Sequence, residues 1–499
     1  MKNKIIRDPV HGYISLPDDL CRLFVDTRLF QRLRSIEQTS MRWLFPGGRH
    51  DRFIHSLGVY HLSVQLYQAL EANITDKRIK KIVCNSRMKH TFVVAALMHD
   101  CGHAPFSHTT EYLYNEDVEG GEHHNKTFLA LRNAISSKAR SDFDFQTMPK
   151  KPADHEAMSA LALLTFYKPQ LRKYKADPIL AARMITGAVY LEPQSLRHRV
   201  ENELIRLING DAIDVDKLDY IMRDTWASGV KNTAIDVGRL LNAASIEMEG
   251  DEPIFVFRAT ALSVVQTVID ARNYLYEWIY GHHTVLYYAT LLKRLCSAVG
   301  SALCAECVQG WRKLDEKKRM CAVNELLSDV FSLEGLTGRK DLRVRLGGLS
   351  PEYLTDGDLM ALFKSKCGSR AEFKAYVSHV PLHVPLWKTE AEYKVLIKSD
   401  LLYHIKEQGL RSRLAKKFRI GAGDLFCCNG MSGKLYDVEP RDVKIKMATG
   451  RVCRFTDVAN YVEHTTADKG PVPFFYVFVA EKYKNKIPAM LKFINASRW

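Results

Sequence analysis

The chain has 499 residues, of which 46% are hydrophobic and 26% are charged. This length and composition exclude a small disulfide-stapled scaffold and a disordered chain, and they are typical of a folded protein with one large or several ordinary domains. The 72 lysines and arginines exceed the 57 acidic residues and give a net charge of +15. This excess favours an anionic partner, which can be a nucleotide, a nucleic acid or a membrane surface.

The apolar runs and the cysteines indicate the compartment. The basic N-terminus is followed by Asp8, Pro9 and His11 instead of an apolar segment, so we expect no secretory signal. The longest apolar runs, such as 474–480, have the length of a strand and are too short for a membrane span. The 11 cysteines form no regular framework, as expected of reduced thiols. The sequence therefore predicts a cytoplasmic protein that does not enter the membrane.

Helical periodicity dominates the first 300 residues. One stretch repeats every three or four positions, at His55, Val59, Leu62, Leu66 and Leu70, which predicts an amphipathic helix. Strand-like segments are short, and we expect them at 254–257, 342–346, 443–447 and 474–479. The sequence thus predicts a mainly α fold with small sheets, divided near residue 300 into a helical part and a smaller, mixed α+β part.

Histidines cluster in one part of the helical half. Ten of the 18 histidines lie between His50 and His155. Within that window, the segment AALMHDCGHAPFSH (95–108) predicts a buried helix that ends at His99 and Asp100, because Gly102 and then a proline stop it. One imidazole nitrogen and one carboxylate oxygen suit a divalent ion such as Mn, Fe, Zn, Ni or Mg.

A His-Asp pair needs distant partners to make a metal site, and the sequence offers them. His55 stands near the start of the predicted amphipathic helix. Asp216, Tyr220 and Asp224 follow one another at four-residue intervals, which places them on one face of a helix. His55, His99, Asp100 and Asp216 therefore form a candidate ligand set.

These residues and their surroundings resemble a known family. The segments DPVHGYISL, FQRLRSIEQ, FPGGRHDRFIHSLGV, HDCGHAPFSH and DVDKLDYIMRD, and then a segment with Arg272, Tyr280 and His282, follow one another across roughly residues 4–285. Together they resemble the HD-domain deoxynucleoside triphosphate triphosphohydrolases, particularly the catalytic part of the SAM-and-HD-domain type. The resemblance implies a helical HD core in residues 1–300, with a regulatory and oligomerisation segment at 1–45. It implies an oligomerising, regulatory α+β lobe in residues 301–499.

The resemblance also implies roles for individual residues. His55, His99, Asp100 and Asp216 match the ligands of a divalent metal. Residues around the scissile phosphate are matched by His103, His108, Glu111 and His155. Residues that hold the triphosphate and the deoxyribose are matched by Gln38, Arg52, Lys217, Tyr220, Asp224, Arg272 and Tyr280. The implied reaction converts a dNTP into a deoxynucleoside and inorganic triphosphate, and dNTP depletion in antiviral defence is one role for it.

A second set of matches concerns regulation. Residues of a guanine-nucleotide activator pocket are matched by Lys4, Ile5, Asp26, Gln31 and Arg34. Residues of an adjoining deoxynucleotide pocket are matched by Phe45, Arg239 and Arg258. The resemblance therefore implies a homotetramer that GTP or a dNTP activates, because ligands shared between subunits favour the assembled state.

Several residues are interpreted as structural, and two other functions stay open. His50, His123 and His124 lack motif partners, and the helical spacing of Tyr276 favours a core position. The first alternative is a nuclease or nucleotide phosphodiesterase with the same metal centre. The second is a non-enzymatic nucleotide sensor or single-strand nucleic-acid-binding protein, and the basic run at 411–419 keeps nucleic acid as a candidate partner.

Overall fold

The computed structural model describes residues 3–114, 126–230, 234–342, 345–346, 348, 352–402, 404–421, 423–430, 442–459 and 474–497. His123 and His124 lie outside the described residues, as does part of the strand expected at 342–346.

Helices make up most of the described chain, as predicted. Those before residue 300 are α1 Asp18–Leu20, α2 Arg28–Gln31, α3 Arg52–Asn73, α4 Lys77–Val83, α5 Ser86–Met98, α6 Lys126–Ala134, α7 Asp154–Phe166, α8 Lys168–Lys173, α9 Pro178–Thr186, α10 Leu196–Arg206, α11 Val215–Ser228, α12 Val237–Asn242, α13 Leu262–Tyr274 and α14 His283–Cys307. The later ones are α15 Glu316–Phe331, α16 Leu333–Leu336, α17 Asp356–Cys367, α18 Ala371–Ser378, α19 Glu390–Leu396, α20 Glu407–Phe418, α21 Phe455–Val458 and α22 Ile487–Ala496.

The strands form three small sheets. They are β1 Asn3–Asp8, β2 Gly12–Pro17, β3 Ala244–Glu249, β4 Glu252–Arg258, β5 His383–Pro385, β6 Leu425–Asn429, β7 Lys444–Lys446, β8 Val452–Arg454 and β9 Phe475–Ala480. β1 and β2 make a hairpin, the second sheet has the order β3-β4-β7-β8, and the third has the order β5-β9-β6. The strands expected near 254, 443 and 474 are thus present as β4, β7 and β9.

Local sequence signals set the ends of the helices that carry the site. The side chain of Asp51 accepts a hydrogen bond from Ile54 N at 2.9 Å and caps α3. Asp214 caps α11 in the same way, through Lys217 N at 2.7 Å. α5 ends at Met98, so His99 is its C-cap and Asp100 follows it, as the glycine and proline downstream predict.

The two predicted parts of the chain share one hydrophobic core. Buried residues on both sides of residue 300, such as Leu57, Val94 and Val477, belong to the same continuous cluster. β4 pairs in parallel with β7, with Phe257 opposite Ile445, and residue 300 lies inside α14. The division at 300 stays a prediction, and the packing shows that residues after 300 contact the helical part extensively.

Two findings concern the length of the apolar helices and the state of the cysteines. No helix in the part of the chain that the structure describes is long and apolar enough to cross a membrane. The cysteines at all eleven positions are free thiols.

Candidate active site and metal centre

Four side chains meet where α3, α5 and α11 come together. His55 Nε2 lies 3.0 Å from Asp216 Oδ1 and 3.5 Å from Asp100 Oδ2. His99 Nε2 lies 3.4 Å from Asp100 Oδ1 and 3.6 Å from Asp216 Oδ1. His55, His99 and Asp100 are buried, and their ligand atoms are close enough together to hold one ion. The structure therefore brings together all four residues of the predicted ligand set.

The histidines are held so that both Nε2 atoms face this centre. His55 Nδ1 bonds to Asp219 Oδ2 at 2.7 Å, and His99 Nδ1 bonds to the carbonyl oxygen of Ala96 at 2.8 Å. The two buried Nε2 atoms make no hydrogen bond of normal geometry with any described residue. Partners on the far nitrogen fix the tautomer and the ring orientation of metal-binding histidines. The donor set of two imidazoles and two carboxylates fits a divalent metal ion, as predicted.

Sequence reasoning missed the residues behind His55. Asp219 is fully buried, and Arg223 donates two hydrogen bonds to its carboxylate, from Nε to Oδ2 at 2.8 Å and from Nη2 to Oδ1 at 2.9 Å. His11 Nε2 lies 2.6 Å from Asp219 Oδ1, and Asp8 Oδ2 accepts from Arg223 at 2.9 Å. The motif DPVHGYISL therefore contributes its Asp and His to the support of His55, a predicted metal ligand. The signal was the position of Asp219 in DVDKLDYIMRD, three residues after the ligand Asp216.

Gly58 permits this arrangement. A Cβ atom at Gly58 would lie 1.8 Å from Asp219 Oδ1 and 2.5 Å from Arg223 Nη2. Only glycine lets α3 approach α11 this closely, one turn beyond His55.

Arg52 is engaged by the protein itself. It is 3% exposed, and its guanidinium donates to Asp100 Oδ2 at 2.7 Å, Ser107 Oγ at 2.9 Å and the carbonyl of Gln38 at 3.0 Å. This cation holds the pKa of the Asp100 carboxyl well below its usual range although burial opposes ionisation. The predicted contact between Arg52 and the triphosphate stays a prediction, and the structure shows Arg52 bonded to Asp100 of the predicted ligand set.

A second cluster adjoins the metal centre through Asp100. Glu111 Oε1 lies 3.2 Å from His103 Nδ1, 3.1 Å from His108 Nδ1 and 2.8 Å from His155 Nδ1. The rings of His103 and His155 stack with their centroids 4.1 Å apart, and His103 Nε2 lies 3.4 Å from Asp100 Oδ1. The structure thus brings all four predicted catalytic residues together beside the metal ligands.

The pKa values of the two stacked histidines are shifted in opposite directions. Burial and the nearby Arg52 cation lower the pKa of His103 well below its usual value. Burial also disfavours a charged His155, but the Glu111 carboxylate outweighs it and raises the pKa of His155 to about 9. At neutral pH the cluster therefore pairs a neutral imidazole with an imidazolium, which is an arrangement suited to proton transfer.

The residues matched to the substrate form a chain of contacts along α11 and α13. Tyr280 OH donates to Asp224 Oδ2, and its ring packs against Tyr276 with centroids 5.2 Å apart. The guanidinium of Arg272 lies 4.3 Å from the centre of the Tyr276 ring. Tyr276 is half-buried and contacts two predicted site residues, Arg272 and Tyr280, whereas the sequence favoured a core position for it.

Lys217, Gln38 and Tyr220 complete this set. Lys217 Nζ donates to the Gly210 carbonyl at 2.7 Å and to Asp214 Oδ2 at 2.5 Å, close to the metal ligand Asp216. Gln38 is 4% exposed, and its Oε1 makes no hydrogen bond with the described residues. Burial raises the pKa of Tyr220 well above its usual value.

The loop that carries His103 is tied to the chain beyond residue 350. Arg32 donates to the carbonyls of Leu354, at 2.9 Å, and His103, at 2.5 Å. The carboxylate of Asp356 accepts from Phe106 N at 2.6 Å and from Glu37 N at 2.9 Å. Sequence reasoning did not find this link, because Asp356 shares no motif with the loop it holds.

The first set of predicted activator residues lies on and beside the N-terminal hairpin. Lys4 Nζ lies 3.2 Å from Asp26 Oδ1, and Ile5 on the same strand is 57% exposed. Arg34 Nε donates to Gln31 Oε1 at 2.9 Å.

The residues of the second predicted pocket are less closely grouped. Arg239 Nε donates to the Thr260 carbonyl at 2.6 Å, next to Arg258 at the end of β4. Phe45 packs against the hydrophobic core in a different segment of the chain.

The chain is similar to proteins of known and unknown function. Residues 52–161 match the HD domain family. The deoxynucleoside triphosphate triphosphohydrolase SAMHD1 of Danio rerio is 30% identical over 284 residues, which cover 56% of this chain and 42% of that protein. The chain resembles the HD-domain triphosphohydrolases. An uncharacterized Mycoplasma genitalium protein is 26% identical over 285 residues, 56% of this chain and 57% of that protein.

The sequence similarity covers part of each relative, and the structural similarity covers the whole fold. The chain spans about half the length of the curated relatives it matches. A crystal structure of a hypothetical protein from Aquifex aeolicus covers 98% of this chain and 100% of that one, with a TM-score of 0.59 and 19% identity, which shows the fold alone. The HD domain, the geometry of its ligands and the similarity to SAMHD1 support a metal-dependent phosphohydrolase of the HD type.

Proposed function

We propose that the protein hydrolyses deoxynucleoside triphosphates to a deoxynucleoside and inorganic triphosphate. The observation that carries the proposal is the shared carboxylate of Asp100. It lies 3.4 Å from the metal-site nitrogen of His99 and 3.4 Å from His103 of the second cluster. A phosphoryl group bound at one site is therefore within reach of proton donors and acceptors at the other.

The clusters divide the chemistry between them. A divalent ion held by His55, His99, Asp100 and Asp216 would supply a Lewis acid for the phosphoryl oxygens and lower the pKa of a water molecule. His155, protonated at neutral pH through Glu111, is suited to donate a proton to the leaving 5′-oxygen. The positive charge of His155 would also stabilise the negative charge that develops on the leaving oxygen in the transition state.

The substrate residues fit a long anionic tail at one end and a sugar at the other. We propose that Lys217 and Arg272 contact the triphosphate, since an ammonium and a guanidinium are the side chains that bind phosphate most strongly. Gln38, Tyr220, Asp224 and Tyr280 would then surround the deoxyribose. The similarity to SAMHD1 supports the choice of a dNTP as substrate and of attack at the α-phosphorus.

Regulation and assembly are proposed on the same similarity. We propose that the protein is a cytoplasmic homotetramer activated by GTP or a dNTP, with residues 1–45 and 301–499 forming the subunit contacts. The ion pair of Lys4 with Asp26 is solvent-exposed and is available to a nucleotide shared between subunits. The antiviral role through dNTP depletion stays a prediction.

Product analysis tests the proposal. Metal-loaded protein is incubated with each dNTP, with and without GTP, and the products are separated by ion-exchange chromatography. Deoxynucleoside and triphosphate are the expected products. Monophosphate with pyrophosphate, or cleavage of oligonucleotides alone, would refute the proposal in favour of a phosphodiesterase or nuclease, and binding without turnover would favour a sensor.

Two variants connect the products to this site. Asp100→Ala removes the shared carboxylate, and we expect it to abolish turnover. His90→Ala is the matched control, because His90 is a half-buried histidine packed on Tyr174, away from the metal ligands. Hydrolysis that survives in Asp100→Ala would show that the activity arises elsewhere.

A further inference from the structure

His50 contacts the carboxylate at the proposed sugar end of the site. Its Nε2 lies 2.6 Å from Asp224 Oδ1, and the side chains are 7% and 0% exposed. Because a carboxylate only accepts hydrogen bonds, Nε2 carries the proton and donates it. His50 Nδ1 is buried and makes no hydrogen bond within the described part of the chain, so Asp224 is the polar group that orients this ring there.

The same carboxylate holds Tyr280 from its other side. Tyr280 OH donates to Asp224 Oδ2, so the two oxygens of Asp224 are shared between His50 and Tyr280. Rotation of the Asp224 carboxylate would break both bonds. His50 therefore fixes the rotation of Asp224, and Asp224 in turn fixes the position of the Tyr280 ring.

The main chain of His50 holds a third residue of the sugar end. Gln38 N donates to the carbonyl oxygen of His50 at 3.1 Å. The carbonyl of Gln38 accepts from Arg52 Nη2 at 3.0 Å, which leaves the Gln38 side chain as the part that can reach a ligand. One residue thus joins Gln38, Asp224 and Tyr280, which lie far apart in sequence.

Tyr280 needs such an anchor because of where it stands. It is the last residue of a π-helical segment, Leu275–Tyr280, that interrupts the helical path between α13 and α14. Such segments are rare inside helices and are frequent at functional sites. The hydroxyl bond to Asp224 is the contact that ties the tip of this ring to α11.

We propose that His50 is a positioning residue for sugar recognition, which orients Asp224 and through it Tyr280, and thereby sets the preference for a deoxyribose over a ribose. The inference rests on the proposed function, since it assumes that Asp224 and Tyr280 face the sugar. The loss of a buried hydrogen bond to a carboxylate lowers affinity about 10- to 100-fold. The effect should fall on sugar-dependent binding and not on the metal centre.

The test compares His50→Ala and His50→Gln with wild type and with the His90→Ala control. Binding is measured by calorimetry with analogues of dATP and ATP in which a methylene group replaces the 5′-oxygen, so that the scissile bond cannot be hydrolysed, and kcat and KM are measured for dATP and ATP. We expect His50→Ala to weaken dATP binding and raise its KM about 10-fold or more, with kcat less affected. The preference for dATP over ATP should shrink, while metal content stays normal.

The glutamine variant separates positioning from folding. Its amide N–H can still donate to Asp224, so we expect His50→Gln to recover most of the affinity and preference that His50→Ala loses. In a Tyr280→Phe background, His50→Ala should change the preference less than 2-fold, because residues that act as a unit are not additive. Thermal unfolding of His50→Ala is compared with that of His90→Ala, which shows whether the loss of His50 destabilises the fold.

The outcomes distinguish this inference from the proposed function. An unchanged preference in His50→Ala, or equal damage in folded His50→Gln and His50→Ala, overturns the role of His50. If the analogues bind in a His50-dependent way but no triphosphate is released, the proposed reaction is wrong and the role of His50 in sugar binding stands.

Discussion

Asp356→Asn should displace the loop that carries His103 without removing any of the predicted catalytic residues. Asp356 begins α17, and its two carboxylate oxygens accept from Phe106 N at 2.6 Å and Glu37 N at 2.9 Å. Phe106 and Ser107 both have positive φ angles, 59° and 50°, so the loop after His103 is held in a conformation that side chains rarely adopt. An asparagine keeps one acceptor but turns an NH2 group toward the other N–H.

The magnitude follows from these bonds. Leaving one buried N–H without an acceptor costs about 1–3 kcal/mol. The positive φ angles of Phe106 and Ser107 are unfavourable for residues with a side chain, so the loop depends on its contacts to keep this conformation. A displacement of the histidines by about 1 Å would lower the rate roughly 100-fold. We therefore expect kcat to fall 10- to 100-fold, with KM and metal content near those of wild type.

Steady-state kinetics and metal analysis check this expectation, with Asp358→Asn as the control. Asp358 lies on the same helix, where its Oδ2 accepts from Thr355 N at 2.8 Å and Thr355 Oγ1 at 2.7 Å, so its loss weakens the helix cap alone. Burial raises the pKa of Asp356 to about 6, so protonation should make wild type resemble the asparagine variant below that pH. If Asp356→Asn loses stability like Asp358→Asn but keeps wild-type kcat, the loop does not depend on this carboxylate.

Three further predictions concern the support of the site. Asp219→Asn should lower metal affinity about 10- to 100-fold in chelator competition, because His55 loses its carboxylate partner; unchanged affinity would contradict this. Gly58→Ala should cost about 1–3 kcal/mol in chemical unfolding, since its Cβ would collide with Asp219; wild-type stability would show that α3 can shift. Burial raises the pKa of Glu37 from 4.5 to about 8, so the stability that this group contributes is fully present below pH 4.5 and is lost as the pH rises through 8. In chemical denaturation at a series of pH values, the free energy of unfolding of Glu37→Gln should therefore fall less with rising pH than that of wild type. An equal pH dependence in the two proteins would refute the shift.

The sequence was sufficient to bring together the predicted ligand set, because each of its residues stands at a helix end or face that local signals define. Gly102 places His99 and Asp100 at the end of α5, and four-residue spacing places Asp216 and Asp224 on one face of α11. The helical class and the strands near 254, 443 and 474 follow from the same kind of local periodicity.

The supporting contacts could not be predicted because they join distant parts of the chain. His50 meets Asp224 across 174 residues, and His11 meets Asp219 across 208. Neither pair has a spacing that a helix or strand imposes, so His50 was interpreted as structural. Local periodicity identifies ligands, whereas the residues that orient them depend on tertiary packing.

The buried arginines change what the net charge of +15 implies. Arg32, Arg52, Arg183, Arg223 and Arg272 are each less than 5% exposed. Three of them bind Asp100, Asp219 and the carbonyl of His103, and Arg183 binds Asp142 at 2.6 Å. These guanidinium groups neutralise buried carboxylates and donate hydrogen bonds to buried carbonyls, which would otherwise have no partners. A buried guanidinium that already has partners attracts a polyanion weakly, so binding of nucleic acid would depend on exposed basic residues such as Lys416 and Lys417 of α20. In the proposed reaction, the triphosphate would compete with Asp214 for Lys217 Nζ, which donates to that carboxylate and to the Gly210 carbonyl.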